Sequence, residues 1–95
     1  MLTRATTHAS GPYDVPNVKV DCFATYTNNV PSGAFRGFGV TQSCFAVESN
    51  MDLLAAELGM DPVELRRKNA LRVGATTATG QLLRESVGLL DCLSQ

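Results

Sequence analysis

The chain has 95 residues, 44% of them hydrophobic and 18% charged, with a formal net charge of −1. That length allows one small domain or part of a larger one, and the apolar content excludes an intrinsically disordered chain. Near-neutrality removes any electrostatic reason to expect nucleic acid or an acidic membrane surface as a partner, and no apolar run is long enough to cross a bilayer. The segment after Leu2-Thr3-Arg4 is polar and lacks the apolar core of a secretion signal, which gives cytoplasmic localisation as the expectation.

Residues 2–9 carry Leu2, Ala5 and Ala9 at helical spacing, and Ser10-Gly11-Pro12 ends that short helix. A strand is predicted over about 18–27. Val18, Val20 and Cys22 alternate there with Lys19 and Asp21, and the stretch is rich in β-branched and aromatic residues. No downstream segment shows matching alternation, so this strand must pair outside the sequence or with a second copy. From about 42 to 58 the period changes to helical, with Cys44, Val47, Met51, Leu54, Ala55 and Leu58 on one stripe. Thr41 is the expected N-cap and Gly59 the expected C-terminal stop.

A second amphipathic helix is predicted over about 62–70. Asp61 caps it, Pro62 takes the first position and Glu64 completes a capping box. Arg66, Arg67 and Lys68 then read as a solvated helix end favoured by the macrodipole, not as a nucleic-acid patch. After a small-residue loop from Gly74 to Gly80 and a short extended piece at 81–83, Ser86 is the expected cap of a last helix over about 87–94. The fold class expected is therefore α+β, one or two strands followed by two to three amphipathic helices, all within one unit spanning 1–95. Cys22, Cys44 and Cys92 are too dispersed, with His8 the single histidine, to form a zinc or iron–sulfur site. They read as small buried hydrophobes in a reducing compartment.

The segment with chemical potential is Gly33-Ala34-Phe35-Arg36-Gly37-Phe38-Gly39, three glycines framing two aromatics and an arginine before a helix start. Glycine lets main chain approach a ligand, the helix-start amides favour negative charge, and arginine adds planar donors. A ring between two glycines can be held open for stacking on a flat ligand. The same residues equally suit a tight strand-to-helix turn whose phenylalanines fill a core. The glycine spacing matches neither a Walker A loop nor a dinucleotide fingerprint.

The stretch Thr27-Asn28-Asn29-Val30-Pro31-Ser32-Gly33-Ala34-Phe35-Arg36-Gly37-Phe38-Gly39 resembles the A-F-R-G-F-G loop of the xanthine dehydrogenase/aldehyde oxidase family. The likeness continues, in order, through Gly11-Pro12-Tyr13, Glu48, Met51-Asp52, Gly59-Met60-Asp61-Pro62, Arg66, Lys68-Asn69 and Thr79-Gly80-Gln81. It implies a piece of a molybdopterin-binding subunit many times longer. In that family a molybdenum–molybdopterin centre hydroxylates a purine, another N-heterocycle or an aldehyde with water as the oxygen source, and electrons leave through iron–sulfur centres to FAD.

By position the resemblance makes Arg36 the residue whose backbone amide faces the molybdenum ligands and Phe38 the aromatic that packs on the substrate ring. It makes Ala34 and Gly37 the residues that keep the approach clear. Carbon monoxide dehydrogenases of the same superfamily place a copper-binding cysteine where this chain has Gly37, which argues for hydroxylation instead. The family's general base lies in a glycine–glutamate pair that this chain lacks, and Glu48, Glu57, Glu64 and Glu85 suit helix faces or caps. The implied partners are the remainder of the molybdenum subunit and the iron–sulfur and flavin subunits. In isolation the chain is expected to be inactive and to bind no cofactor. The alternative is a non-catalytic, stand-alone interaction domain that oligomerises through its unpaired strand.

Overall fold

The computed structural model describes residues 2–95, in which four helices appear in chain order: α1 Leu2–Thr7, α2 Val40–Leu58, α3 Pro62–Asn69 and α4 Leu89–Cys92. The long helix α2 is the axis of the molecule, and α1 and α3 pack against it. Gly11 permits the close approach of the α1–α2 connection: at φ 62° it lies where a Cβ would meet Val47 Cγ1 at 2.9 Å. The chain then passes beside α3. Asp14 N–H donates to Asn69 O at 2.8 Å and Leu71 N–H to Pro12 O at 3.0 Å, so Tyr13 and Ala70 form an antiparallel bridge.

These packings enclose a small core of Tyr13, Ala55, Leu65 and Ala70. Of the apolar stripe read along α2, Ala55 is fully buried and Val47 and Met51 are half-buried, while Cys44, Leu54 and Leu58 remain exposed. The radius of gyration, 15.0 Å, exceeds the roughly 12–13 Å of a tightly packed chain this long. The excess reflects the segment from 15 to 34, which is exposed throughout and belongs to no helix or ladder. The strand expected over 18–27 thus lies in open, unpaired chain.

Helix α3 begins as its sequence directs. Asp61 Oδ1 accepts from Val63 N–H at 2.9 Å and Glu64 N–H at 3.0 Å, with Pro62 at the first position. Glu64 makes no return bond to Asp61 among the described residues, so the expected capping box forms by half. Three other expectations are corrected. Thr41 does not cap α2, because the chain is already wound by Phe38 N–H to Phe35 O and Val40 N–H to Gly37 O. The helix therefore starts at Val40 with Gly39 as N-cap, and Thr41 hydrogen-bonds Gln42. Ser86 does not cap the last helix: it turns the chain with φ 59°, and the helix is one turn long, starting after Gly88 without a side-chain cap. The three cysteines are exposed, not buried: even Cys44, which borders an open cavity with His8, Gly11 and Pro12, is not covered.

The cluster Arg66-Arg67-Lys68 is also not simply a solvated end. Arg66 reaches from α3 to α2, and Arg67 Nη2 donates to Leu93 O at 2.6 Å, holding α4 against α3. Between them, residues 74–83 fold back on themselves through Gly74 N–H to Leu83 O and Leu83 N–H to Ala75 O.

Candidate functional site

The loop from 33 to 39 leads directly into α2 and takes its shape from backbone conformation. Gly37, Phe38 and Gly39 have φ of 87°, 54° and 101°, three successive residues in the left-handed region. For glycine that conformation is unstrained, whereas for phenylalanine it costs roughly 1–3 kcal/mol. The turn is closed by Phe38 N–H to Phe35 O at 2.8 Å and Val40 N–H to Gly37 O at 3.0 Å. Ser43 Oγ then donates to Val40 O at 3.0 Å in the first turn of α2. Gly37 is exposed but has no room for a Cβ on its inner side, where one would lie 2.7 Å from Thr41 Cγ2.

The result is a raised loop. Gly39 is buried at its foot, Phe35 is 89% exposed and Phe38 is 42% exposed. Phe38 therefore does not fill a core. Ala34 and Arg36 are exposed as well, and Arg36 takes part in none of the three ion pairs among the described residues. The amides of Arg36, Gly37 and Gly39 donate to no oxygen of the described residues. Ala34, Arg36, Gly37 and Phe38 are thus brought together on one exposed turn.

A second constellation joins α2 and α3 through residues that also carry the resemblance. Tyr13 Oη donates to both carboxylate oxygens of Glu48 at 2.8 Å, and Arg66 Nε donates to Glu48 Oε2, also at 2.8 Å. Arg66 further donates to the Glu48 carbonyl at 3.1 Å and pairs with Asp52 at 2.8 Å. Glu48 and Asp52 are one helical turn apart, so a single guanidinium spans both. Burial, followed by the hydrogen bond to Glu48, pushes the Tyr13 hydroxyl up to about 12. The hydrogen bond to Glu48 holds the Arg66 guanidinium above its already high ordinary value. One guanidinium thus offsets part of the charge of two carboxylates, and the contacts contribute to fixing α2 against α3. The spacing of Glu48 and Asp52 was the signal available in the sequence, but their partner lies fourteen or more residues away.

No group of three or more histidine, cysteine, aspartate or glutamate side chains suited to a metal occurs among the described residues. What the loop offers a cofactor is main chain: unpaired amides, a glycine cradle and an open ring. That donor set fits a metal held through an organic ligand, with the protein supplying hydrogen bonds to the ligands instead of coordinating side chains.

Comparison with known proteins accords with this arrangement. Residues 1–70 match the model of the molybdopterin cofactor-binding domain. Over all 95 residues the chain is 56% identical to the large molybdopterin subunit of nicotinate dehydrogenase from Eubacterium barkeri, of which it covers 22%. Over 69 residues, 73% of the chain, it is 54% identical to the aldehyde oxidoreductase of Megalodesulfovibrio gigas, covering 8% of that protein. The solved structure of aldehyde oxidoreductase from Desulfovibrio gigas superposes on 96% of the chain with a TM-score of 0.74 and 42% identity, and the match covers 10% of that longer chain. The chain spans less than a quarter of the length of each of these relatives. With its family model matched over most of its length and its loop and helices arranged as described, this chain belongs to the molybdopterin cofactor-binding family that includes the xanthine and nicotinate dehydrogenases and the aldehyde oxidoreductases.

Proposed function

We propose that this chain supplies the molybdenum-facing and substrate-stacking loop of a molybdenum hydroxylase acting on an N-heterocycle or an aldehyde. The observation that carries the reading is the left-handed turn at 37–39, which leaves Phe38 open and the amides of Arg36, Gly37 and Gly39 unpaired. When bound, the molybdenum–molybdopterin cofactor supplies the oxygen-transfer and two-electron chemistry. The Arg36 amide donates a hydrogen bond towards the ligands of the metal. Gly37 and Ala34 present no bulk that would hold the cofactor away. The Phe38 ring stacks on the flat substrate and limits the orientations in which its reacting carbon is presented. The base that takes the proton, the iron–sulfur centres and the flavin belong to the remainder of the molybdenum subunit and its partner subunits.

The test is a chimera in which this chain replaces the matching residues of the Eubacterium barkeri subunit, assembled in a host that makes the cofactor. Phe38→Ala is expected to lower kcat/KM for the heterocycle about 10- to 100-fold while molybdenum is retained. Arg36→Ala keeps the amide and is expected to retain molybdenum, whereas Arg36→Pro removes the amide and is expected to lose it. Unchanged kinetics for Phe38→Ala would sink the stacking role, and full molybdenum occupancy in Arg36→Pro would sink the amide contact.

A further inference from the structure

Thr41, the second residue of α2, divides its side chain between two neighbours. Its hydroxyl donates to Gln42 Oε1 at 2.8 Å, while its γ-methyl takes the space beside Gly37 that a Cβ at position 37 would need. The hydroxyl oxygen lies 3.4 Å from that Cβ position, against 2.7 Å for the methyl carbon, so the methyl is what stands against the turn. Branching at Cβ keeps χ1 stiff in a helix, which makes this methyl a rigid prop. At the other end of the loop there is no such support: a Cβ on Gly33 would meet nothing within 4 Å, and Ala34, Phe35 and Arg36 are exposed. The two closing hydrogen bonds, Phe38 N–H to Phe35 O and Val40 N–H to Gly37 O, set the shape of the turn. Hydrogen bonds tolerate a tilt of roughly 30° before they weaken, whereas atoms already in contact resist closer approach steeply.

We infer that Thr41 is a positioning residue for the loop: its γ-methyl props Gly37 from the first turn of α2 and so fixes where the Arg36 amide and the Phe38 ring stand. The inference deepens the functional reading above and rests on it. Arg36 and Phe38 flank Gly37 in the chain, so a tilt at Gly37 moves both. Both tasks are sensitive to such movement. A hydrogen bond weakens as its donor turns from the acceptor, and a reacting carbon presented about 1 Å out of place can lose about 100-fold in rate. Helix α2 is a suitable anchor, since Ala55 lies in the core and Arg66 ties Glu48 and Asp52 to α3. The methyl thereby refers the loop to the best-packed part of the chain. The competing account gives the role to the hydroxyl, but its bond to Gln42 joins two exposed side chains, where water replaces it at little cost.

Two substitutions in the chimera separate the methyl from the hydroxyl. Thr41→Ser keeps the hydroxyl and removes the methyl. It is expected to lower kcat for the heterocycle about 10-fold, with KM within about 2-fold and molybdenum retained. Thr41→Val restores a methyl without the hydroxyl and is expected to recover kcat to within about 2-fold of the parent chimera. Thr41→Ser as active as the parent, or Thr41→Val no better than Thr41→Ser, would overturn the inference. Either result with Phe38→Ala still impaired leaves the functional reading standing. A second measurement needs neither assembly nor metal. With isotope-labelled threonine methyls, a nuclear Overhauser effect from the Thr41 γ-methyl to the Gly37 α-protons is expected in the isolated chain, and its absence would overturn the inference by itself. That contact present, together with Phe38→Ala at full rate, would remove the functional reading while the prop stands.

Discussion

Glu48 receives the Tyr13 hydroxyl and the Arg66 guanidinium on one carboxylate, so removing either partner leaves charge or a hydroxyl poorly matched in a half-buried position. With the Arg66 side chain 15% and that of Glu48 32% exposed, Arg66→Ala is expected to cost about 2–3 kcal/mol in urea unfolding of the isolated chain. The Tyr13 hydroxyl also sets a pH dependence. Its folded-state value of about 12 lies above the ordinary 10.0, so its protonated form is favoured by folding. The stability it contributes is full below pH 10 and is lost as pH rises from 10 through about 12. The difference in urea midpoint between the wild type and Tyr13→Phe should therefore shrink across that window, and a constant difference would contradict the assignment. At Gly37 both the φ of 87° and the 2.7 Å approach to Thr41 oppose a side chain, so Gly37→Ala is expected to destabilise the loop by more than about 1 kcal/mol. In the sequence Gly37 and Phe38 were legible as a glycine-framed turn whose ring suited an open or a buried position equally, and the Glu48–Arg66 clamp was not legible. Reading it requires knowing that α3 folds back along α2, and no local pattern encodes that.

At the scale of elements, starts and stops that depend on adjacent residues were legible, and those that depend on the approach of other chain were not. Asp61, Pro62 and Gly59 act where their chemistry places them, because a cap is satisfied within three residues. Asp61→Ala is expected to cost about 1 kcal/mol and to fray the first turn of α3, measured by urea unfolding and by amide exchange at Val63 and Glu64. Thr41 is a sound cap by residue type. It was displaced because the turn at 35–40 supplies its own hydrogen bonds one residue earlier. Ser86 lost its expected role in the same way, to a left-handed turn ahead of Gly88. The cysteines were misjudged for a different reason. Their apolar character was read correctly, but burial requires a facing surface, which composition does not report.

At the scale of the molecule, four of the described residues form the buried apolar core, while Phe23, Tyr26, Val30, Phe35, Phe45 and Leu53 are each at least 66% exposed. A helix as apolar as α2 on its outward side is normally covered. The isolated chain is accordingly expected to bind a hydrophobic dye while still folded, and the absence of dye binding would contradict this. The missing cover was visible in the sequence as a strand without a partner, because alternation is local whereas its completion is not. The open stretch from 15 to 34 has a further consequence for the life of the polypeptide in a cell. A protease cleft accepts a substrate as a single extended strand, and Lys19, with its side chain 85% exposed, offers trypsin-like enzymes a scissile bond already in that form. Limited trypsin digestion of the isolated chain is therefore expected to cut after Lys19 first, so the same open stretch that leaves backbone unpaired also sets how quickly an uncovered copy is degraded.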